Sequence, residues 1–222
     1  MESSEVRGAI RGIYDRFKIL PNLRLHMFRT ASVAEIVCDN WRGPPINRDD
    51  IIAACLLHDI GNIVKFDLKE KDVTLLGKEA KRLDYWRIVK RYTMRKYGRI
   101  DHEATHNMMV ELRVNKKAKF LVDHMVDVLG KGAGRNYPLM LCGYSDDRVS
   151  PGGVMSLADR FADFAKRCRK SSSAENRARG VFVASRLGRA LGVEMQLFAN
   201  ARIRPEQIND RSIRPYLDRY TK

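Results

Sequence analysis

The fold is decided by one stretch of the chain, Asn47-Arg-Asp-Asp50-Ile-Ile-Ala-Ala-Cys-Leu-Leu-His58-Asp59-Ile-Gly61. Asn47 and Asp50 have the spacing of a helix N-cap and its reciprocal acid, and Gly61 can take the left-handed conformation that ends a helix. The apolar residues between them recur at helical spacing, and His58 and Asp59 continue the same rows. Either polar residue alone could be a satisfied core residue or a cap. Together they need a compensating partner, because an unpaired buried carboxylate is costly, and a bound cation would provide one.

Further ligand candidates lie on other predicted helices. The chain has five histidines, and all of them fall between His26 and His124. His26 lies next to the buried stripe of a helix predicted over 22–40. Asp159 lies at the edge of the apolar stripe of a helix predicted over 153–169, with Asp163 as its rival one turn later.

The order His26, His58-Asp59 and Asp159, each in its own helix, resembles the HD superfamily of metal-dependent phosphohydrolases. The resemblance covers roughly residues 20–165 and is strongest in the motifs at 56–61 and 157–160. It implies an all-α, HD-domain-like helical bundle with a C-terminal helical extension. It also implies that His26, His58, Asp59 and Asp159 bind a metal. A subset of the superfamily adds two histidines, which here would be His102 and His124.

The coordination chemistry agrees with this resemblance. Four ligands leave about two of six octahedral positions for water and substrate. With His102 and His124 added and Asp59 bridging, two ions would lie about 3.5–4 Å apart. Mixed imidazole and carboxylate ligands suit Fe, Mn, Co, Ni or Zn without choosing among them. We expect Asp59 and Lys65 to take part in catalysis, and Arg29 and Lys65 to bind the phosphate. Many members have lysine directly after the glycine of the motif, whereas this chain has Asn62, which leaves Lys65 as the first lysine.

A second motif points to a different metal site. His102-Glu103-Ala-Thr-His106 matches the His-Glu-x-x-His pattern of zinc metalloproteases. In those enzymes the helix runs through the motif, whereas Asp101 resembles an N-cap and would put His102 in the first turn. The context therefore favours the HD interpretation.

Composition bounds the architecture. The 222 residues are 44% hydrophobic, which fits one HD-like metal-binding helical domain over 1–169 and a basic C-terminal helical extension over 170–222 packed on it. The connection from Gly130 to Gly153 is predicted to be a loop that serves as a lid or binding segment. Helices are predicted at about 4–19, 22–40, 48–60, 71–97, 101–113, 116–129, 153–169, 175–191 and 205–220.

Charge is the second functional signal. Forty-two Lys and Arg against 27 Asp and Glu give a net charge of +15, concentrated at 78–96 and 160–189. Such faces attract an anionic phosphorylated small molecule or bind nucleic acid without sequence preference, and they can equally be solvated surface. No signal peptide or membrane-spanning stretch is evident, and the scattered cysteines fit a reducing cytoplasm, so we expect a cytoplasmic protein without a membrane partner.

Three functions remain open at this point. The first is metal-dependent hydrolysis of a phosphoester or phosphoanhydride, and the expected substrate is a nucleotide or a dinucleotide. The second is a non-catalytic HD-like protein that binds RNA or a nucleotide. The third follows from the resemblance, because some similar proteins with two extra histidines use a di-iron pair for oxygenation. The sequence predicts one or two divalent transition-metal ions and leaves the oligomeric state open.

Overall fold

The computed structural model describes residues 1–66, 68, 76–125, 128, 134–169, 181 and 185–222. Within these residues the chain forms ten α-helices and one small hairpin, which confirms the all-α prediction. The helices are α1 (Ser3–Arg16), α2 (Pro21–Asp39), α3 (Arg48–Leu57), α4 (Leu83–Tyr97), α5 (Asp101–Glu111), α6 (Lys116–His124), α7 (Tyr137–Asp147), α8 (Leu157–Arg169), α9 (Leu187–Phe198) and α10 (Arg214–Thr221). Short 3-10 helices cover Asn62–Lys65, Gly77–Arg82 and Pro205–Gln207, and Val149–Ser150 pairs antiparallel with Gly153–Val154.

Helix α3 lies at the centre of the bundle. Every residue from Asp50 to Leu57 is buried, and the helix packs against α1, α2, α6 and α7. A helix that is apolar all round belongs in the interior, which is the reason for the unbroken apolar run in this part of the sequence. The two polar residues that follow it therefore emerge in the middle of the molecule.

The start of α3 is fixed by a buried polar network. The Asn47 side chain accepts a hydrogen bond from the Asp50 backbone N–H at 3.1 Å, as predicted for an N-cap. The Asp50 carboxylate does not return to Asn47. It accepts hydrogen bonds from Ser3 Oγ at 2.6 Å and Asn115 Nδ2 at 3.1 Å. Because Asn115 also caps α6, this network ties α1, α3 and α6 together.

The end of α3 differs from the sequence prediction. The helix ends at Leu57, and Gly61 has a right-handed backbone with φ −87°, so it is not a left-handed stop. The glycine is needed because a Cβ atom here would lie 2.5 Å from the Thr105 backbone nitrogen and 2.8 Å from the Asp101 carbonyl oxygen. Helix α5 thus packs directly on the turn that follows α3.

The predicted loop at 130–153 contains a helix, which corrects the sequence interpretation. Helix α7 begins after Asn136, whose side chain accepts a hydrogen bond from the Leu139 N–H at 3.1 Å. Residues 139–145 are all buried, so the segment has no polar face to reveal helical periodicity. Residues 129–133, which include the glycine-rich start of the predicted loop, lie outside the described residues.

Other predicted boundaries also shift. Helix α4 begins at Leu83 and not at 71, and α8 begins at Leu157 after the hairpin. Helix α9 covers 187–198 and so continues beyond residue 191, where the predicted helix ends. Residues 71–75, 170–180 and 182–184 lie outside the described part of the chain. No helix in the described part has both the length and the apolar character of a membrane span.

The C-terminal helix α10 packs against α2 through a buried carboxylate. Glu35 accepts a hydrogen bond from the Tyr220 hydroxyl and pairs with Arg219 at 3.0 Å and Arg48 at 3.1 Å. Arg7 of α1 approaches the same carboxylate at 3.5 Å. A buried carboxylate is tolerated because these donors surround it.

Candidate metal centre

Two imidazoles and one carboxylate meet where α2, α3 and α7 come together. His26 Nε2 lies 3.3 Å from His58 Nε2 and 2.9 Å from Asp146 Oδ1, and His58 Nε2 lies 3.3 Å from Asp146 Oδ1. Among the described residues, this is the one group of three or more His, Cys, Asp or Glu whose ligand atoms all lie within 4.8 Å of one another.

Asp59 approaches the same point from the turn after α3. Its Oδ2 lies 3.8 Å from His26 Nε2 and 3.7 Å from His58 Nε2. Ligands bound to one transition metal at about 2.1 Å lie about 3 Å apart when they are adjacent, so these distances suit a shared cation. The ligand atoms of His26, His58 and Asp146 therefore fit a single metal ion, and Asp59 lies next to the two histidines.

The orientation of His58 also suits a ligand. Its Nδ1–H donates to the Cys55 carbonyl at 2.9 Å, which leaves Nε2 directed at the cluster. Metal-binding histidines are commonly held in this way through their other ring nitrogen. The helical geometry that brings Cys55 one turn before His58 therefore fixes the ligand atom.

The charges of the metal-free centre also favour a bound cation. Burial opposes the charged form of His58, which is 5% exposed, but Asp59 and Asp146 raise its pKa to about 10. Burial also opposes ionisation of Asp146, yet the two histidines hold the pKa of its carboxyl well below the ordinary value. A positive charge is therefore favoured between the two carboxylates, and a bound cation would supply it in place of a protonated His58.

Three buried polar atoms in the described part of the chain have no hydrogen-bond partner: Arg29 Nε, Thr30 Oγ1 and Ser145 Oγ. Arg29 and Thr30 follow His26 by one helical turn, and Ser145 precedes Asp146. The Arg29 guanidinium contacts the Pro151 carbonyl at 3.4 Å through Nη1, and its Nε lies 3.9 Å from Asp210 Oδ1. Buried polar atoms usually have hydrogen-bond partners. These three atoms belong to residues within four positions of His26 or Asp146 in the sequence, so they indicate a site for a polar ligand.

Asp159, which the sequence predicts as a ligand, does not join the cluster, and Asp146 stands in its place. Asp159 is exposed, accepts a hydrogen bond from Ser156 Oγ at 2.7 Å, and its N–H donates back to Ser156 Oγ at 3.1 Å. Because α8 begins at Leu157, Ser156 is the N-cap of this helix, and Asp159 bonds to the capping hydroxyl. Asp163, the rival candidate, accepts from Arg167 Nε at 2.9 Å.

The additional histidines remain outside the cluster. His102 and His124 are exposed, and His124 Nδ1 donates to the Phe120 carbonyl at 2.9 Å while its ring stacks on Phe120. His106 Nδ1 contacts the Asp123 carboxylate at 3.0 Å. Among the described residues, the ligands predicted for a second ion do not come together, and the same holds for the His-Glu-x-x-His motif.

Lys65 lies beyond the turn and pairs with α5. Its Nζ donates to Asp101 Oδ2 at 3.0 Å. Burial favours the neutral form of Asp101, but Lys65 lowers the pKa of this carboxyl. The predicted roles of Lys65 in catalysis and in phosphate binding remain predictions.

Comparison with known proteins gives one match. No curated protein and no solved structure matches the chain significantly. The family model described as HD domain matches residues 24–120, which include His26, His58 and Asp59 and end before the helix that carries Asp146. This match agrees with the resemblance to the HD superfamily that the sequence motifs indicate.

Proposed function

We propose that the protein is a metal-dependent phosphohydrolase that acts on a phosphoester or phosphoanhydride of a nucleotide or dinucleotide. HD domains are in general metal-dependent hydrolases, and residues 24–120 of this chain match the HD-domain model. The observation that carries the proposal is the convergence of His26, His58 and Asp146, with Asp59 beside them.

The four side chains would hold one divalent transition metal, drawn from Fe, Mn, Co, Ni and Zn. When bound, such a metal polarises a phosphoryl oxygen and activates water for attack. Asp59 and Asp146 balance the charge of the ion, and the Cys55 carbonyl keeps His58 in the ligating orientation. The chain itself therefore provides the positions and charges that hold the reacting groups.

Arg29 is the best candidate for binding the substrate phosphate. It lies one helical turn after His26, and its Nε is buried without a hydrogen-bond partner among the residues that the structure describes. A guanidinium with an unused donor matches the oxygens of a phosphate. The net charge of +15 adds a long-range attraction for an anionic substrate.

The test combines metal loading with a panel of nucleotides and dinucleotides, and phosphate release is the readout. We expect release that needs the metal and disappears in Asp146→Ala. Arg29→Gln should raise KM for the phosphorylated substrate while metal content is unchanged. Arg42→Gln is the matched control, since Arg42 is exposed beyond the far end of α2, about 20 Å along the helix from His26.

Two outcomes would contradict the proposal. Oxygen uptake with substrate turnover and no phosphate release would favour the oxygenase alternative. Tight nucleotide binding by fully metal-loaded protein without turnover would favour the non-catalytic alternative.

A further inference from the structure

A second groove lies between the end of α1 and the helices α4 and α5. It encloses about 420 Å³, within the usual range of ligand pockets. Its lining is mainly aromatic and aliphatic and includes Phe17, Tyr85, Ile88, Tyr92, Tyr97 and Met108. It shares no residue with the metal centre, so it calls for a separate explanation.

One wall of the groove exposes large apolar side chains. Ile88 and Tyr92 lie one turn apart on α4, with 56% and 50% of their surface exposed, and Tyr85 belongs to the same row. Below them, the Phe17 and Tyr97 rings meet edge to face at 5.8 Å. The groove therefore presents aromatic faces to solvent above an apolar floor.

Cations accompany the exposed rings. Lys96 Nζ lies 6.0 Å from the centroid of the Tyr92 ring, and the Arg82 guanidinium carbon lies 4.5 Å from that of Tyr85. Arg16 and Lys18 line the opposite wall at the end of α1. Lys18 has a backbone φ of +53°, a conformation that side-chain-bearing residues rarely adopt and that concentrates at functional positions.

One carboxylate lies among these cations. Glu111 accepts hydrogen bonds from Arg16, from Lys96 at 2.9 Å and from the Tyr97 hydroxyl at 2.9 Å. It holds two of the cations in position and offsets one charge. Three lining cations against one carboxylate leave the groove positively charged.

We propose that this groove binds single-stranded nucleic acid, with bases stacked on Tyr85 and Tyr92 and phosphates on Lys18 and Lys96. Stacking platforms beside cations are how proteins bind single strands without sequence preference. Basic residues continue beyond the groove along α4, where Arg91 and Arg95 are exposed. The helix is about 22 Å long, which accommodates several nucleotides and favours a polymer over a free nucleotide. A ring of cations around the apolar floor likewise favours a polyanion over an apolar protein segment.

The test is fluorescence anisotropy with a labelled single-stranded RNA of about 12 nucleotides, a length within known site sizes. Tyr92→Ala should weaken binding roughly five- to a hundredfold, and Tyr92→Phe should restore it because the ring remains. Ile88→Glu, at a second exposed position, should weaken binding at least tenfold by placing a carboxylate in the groove. Met195→Ala is the matched control, since Met195 is 72% exposed on α9, away from the groove.

The phosphate contact has its own readout. Lys18→Asn, chosen because asparagine tolerates a left-handed backbone, should reduce the slope of log affinity against log salt by about 0.7–1. Lys117→Gln on the exposed side of α6 should leave the slope unchanged. Asp146→Ala and chelator should not affect RNA binding, which separates this site from the metal centre.

Several results would overturn the proposal. These are no binding at low salt, equal affinity for double-stranded RNA, and full competition by mononucleotides at the same concentration. Unchanged affinity in both Tyr92→Ala and Ile88→Glu would also overturn it, because binding would then not involve this wall of α4.

Discussion

Replacing Asp146 and Asp159 one at a time gives opposite predictions for the metal and for the fold. Asp146→Ala removes an oxygen that lies 2.9 Å from His26 Nε2 and 3.3 Å from His58 Nε2. Loss of a group that merely orients a ligand already lowers metal affinity by about 10–100-fold. We therefore expect removal of a direct ligand to lower affinity by at least about 100-fold, or about 2.7 kcal/mol.

Asp159→Ala should leave metal binding unchanged. Its carboxylate is exposed and accepts one hydrogen bond from Ser156 Oγ at the start of α8, and the N–H of residue 159 can still donate to Ser156 Oγ in the variant. Losing one such hydrogen bond costs about 0.5–1.5 kcal/mol of stability. The variant should therefore unfold at lower urea concentration while its metal content stays at the wild-type value.

Elemental analysis and calorimetric metal titration, beside urea unfolding of the metal-free proteins, distinguish the two variants. If Asp159→Ala lost the metal and Asp146→Ala kept it, the fourth ligand would be Asp159, and the placement of α7 at the centre would be refuted. Asp159→Asn is a useful control, because it keeps an oxygen that can accept from Ser156 Oγ and removes the charge.

Three further predictions concern the same centre and its surroundings. Gly61→Ala should destabilise the protein by about 1–3 kcal/mol in urea unfolding, because the new Cβ atom would press on the Thr105 backbone. Gly8→Ala is the control: it lies in α1 with open space around it and should stabilise the protein by about 0.5–1 kcal/mol. In metal-free protein the pKa of His58 rises from 6.5 to about 10, so the stability that its charge contributes is complete below pH 6.5 and is lost as the pH rises towards 10. Urea midpoints measured between these pH values should fall, and an unchanged midpoint would contradict the charged centre. Metal at about 100 times its Kd should raise the free energy of unfolding by about 2.7 kcal/mol, and a chelator should reverse this.

The His-Asp pair could be placed from sequence because its signal is local. The apolar run of α3 indicates a buried helix, and His58 and Asp59 follow it directly, so they must lie at the end of that helix in the interior. His26 is placed in the same way by the stripe of α2. What the sequence did not supply was the steric reason for Gly61, since the contact with Thr105 joins residues 44 positions apart.

Asp146 was missed because its helix lacks a polar face. Periodicity detects amphipathic helices, whereas residues 139–145 of α7 are buried on every side. The local signal that was available is the pair Asn136 and Pro138, an N-cap followed by a proline in the first turn. These two residues predict the start of a helix within the segment that periodicity alone assigns to a loop.

Asp159 illustrates how the position of a helix boundary changes an interpretation. A helix predicted from 153 places it in the helix interior, where an acid beside an apolar stripe resembles a ligand. The Gly153–Val154 strand delays the helix to Leu157. Ser156 then becomes the N-cap, and Asp159 bonds to its hydroxyl in the first turn. A shift of four residues in one boundary therefore changes the role of a side chain.

The C-terminal part of the chain fixes the end of the helix that carries Asp146. Arg148, only 3% exposed, donates to the Met155 carbonyl, to the Ile208 carbonyl at 2.8 Å and to the Pro205 carbonyl at 3.2 Å. A buried guanidinium is tolerated only when its donors are used, so the end of α7 is stable in this position because residues 205–208 pack beside it. The segment that matches the HD family ends at residue 120 and contains three of the four candidate ligands. The fourth lies two residues before Arg148, so we expect substitutions that loosen the packing of residues 205–208 to lower metal affinity as well.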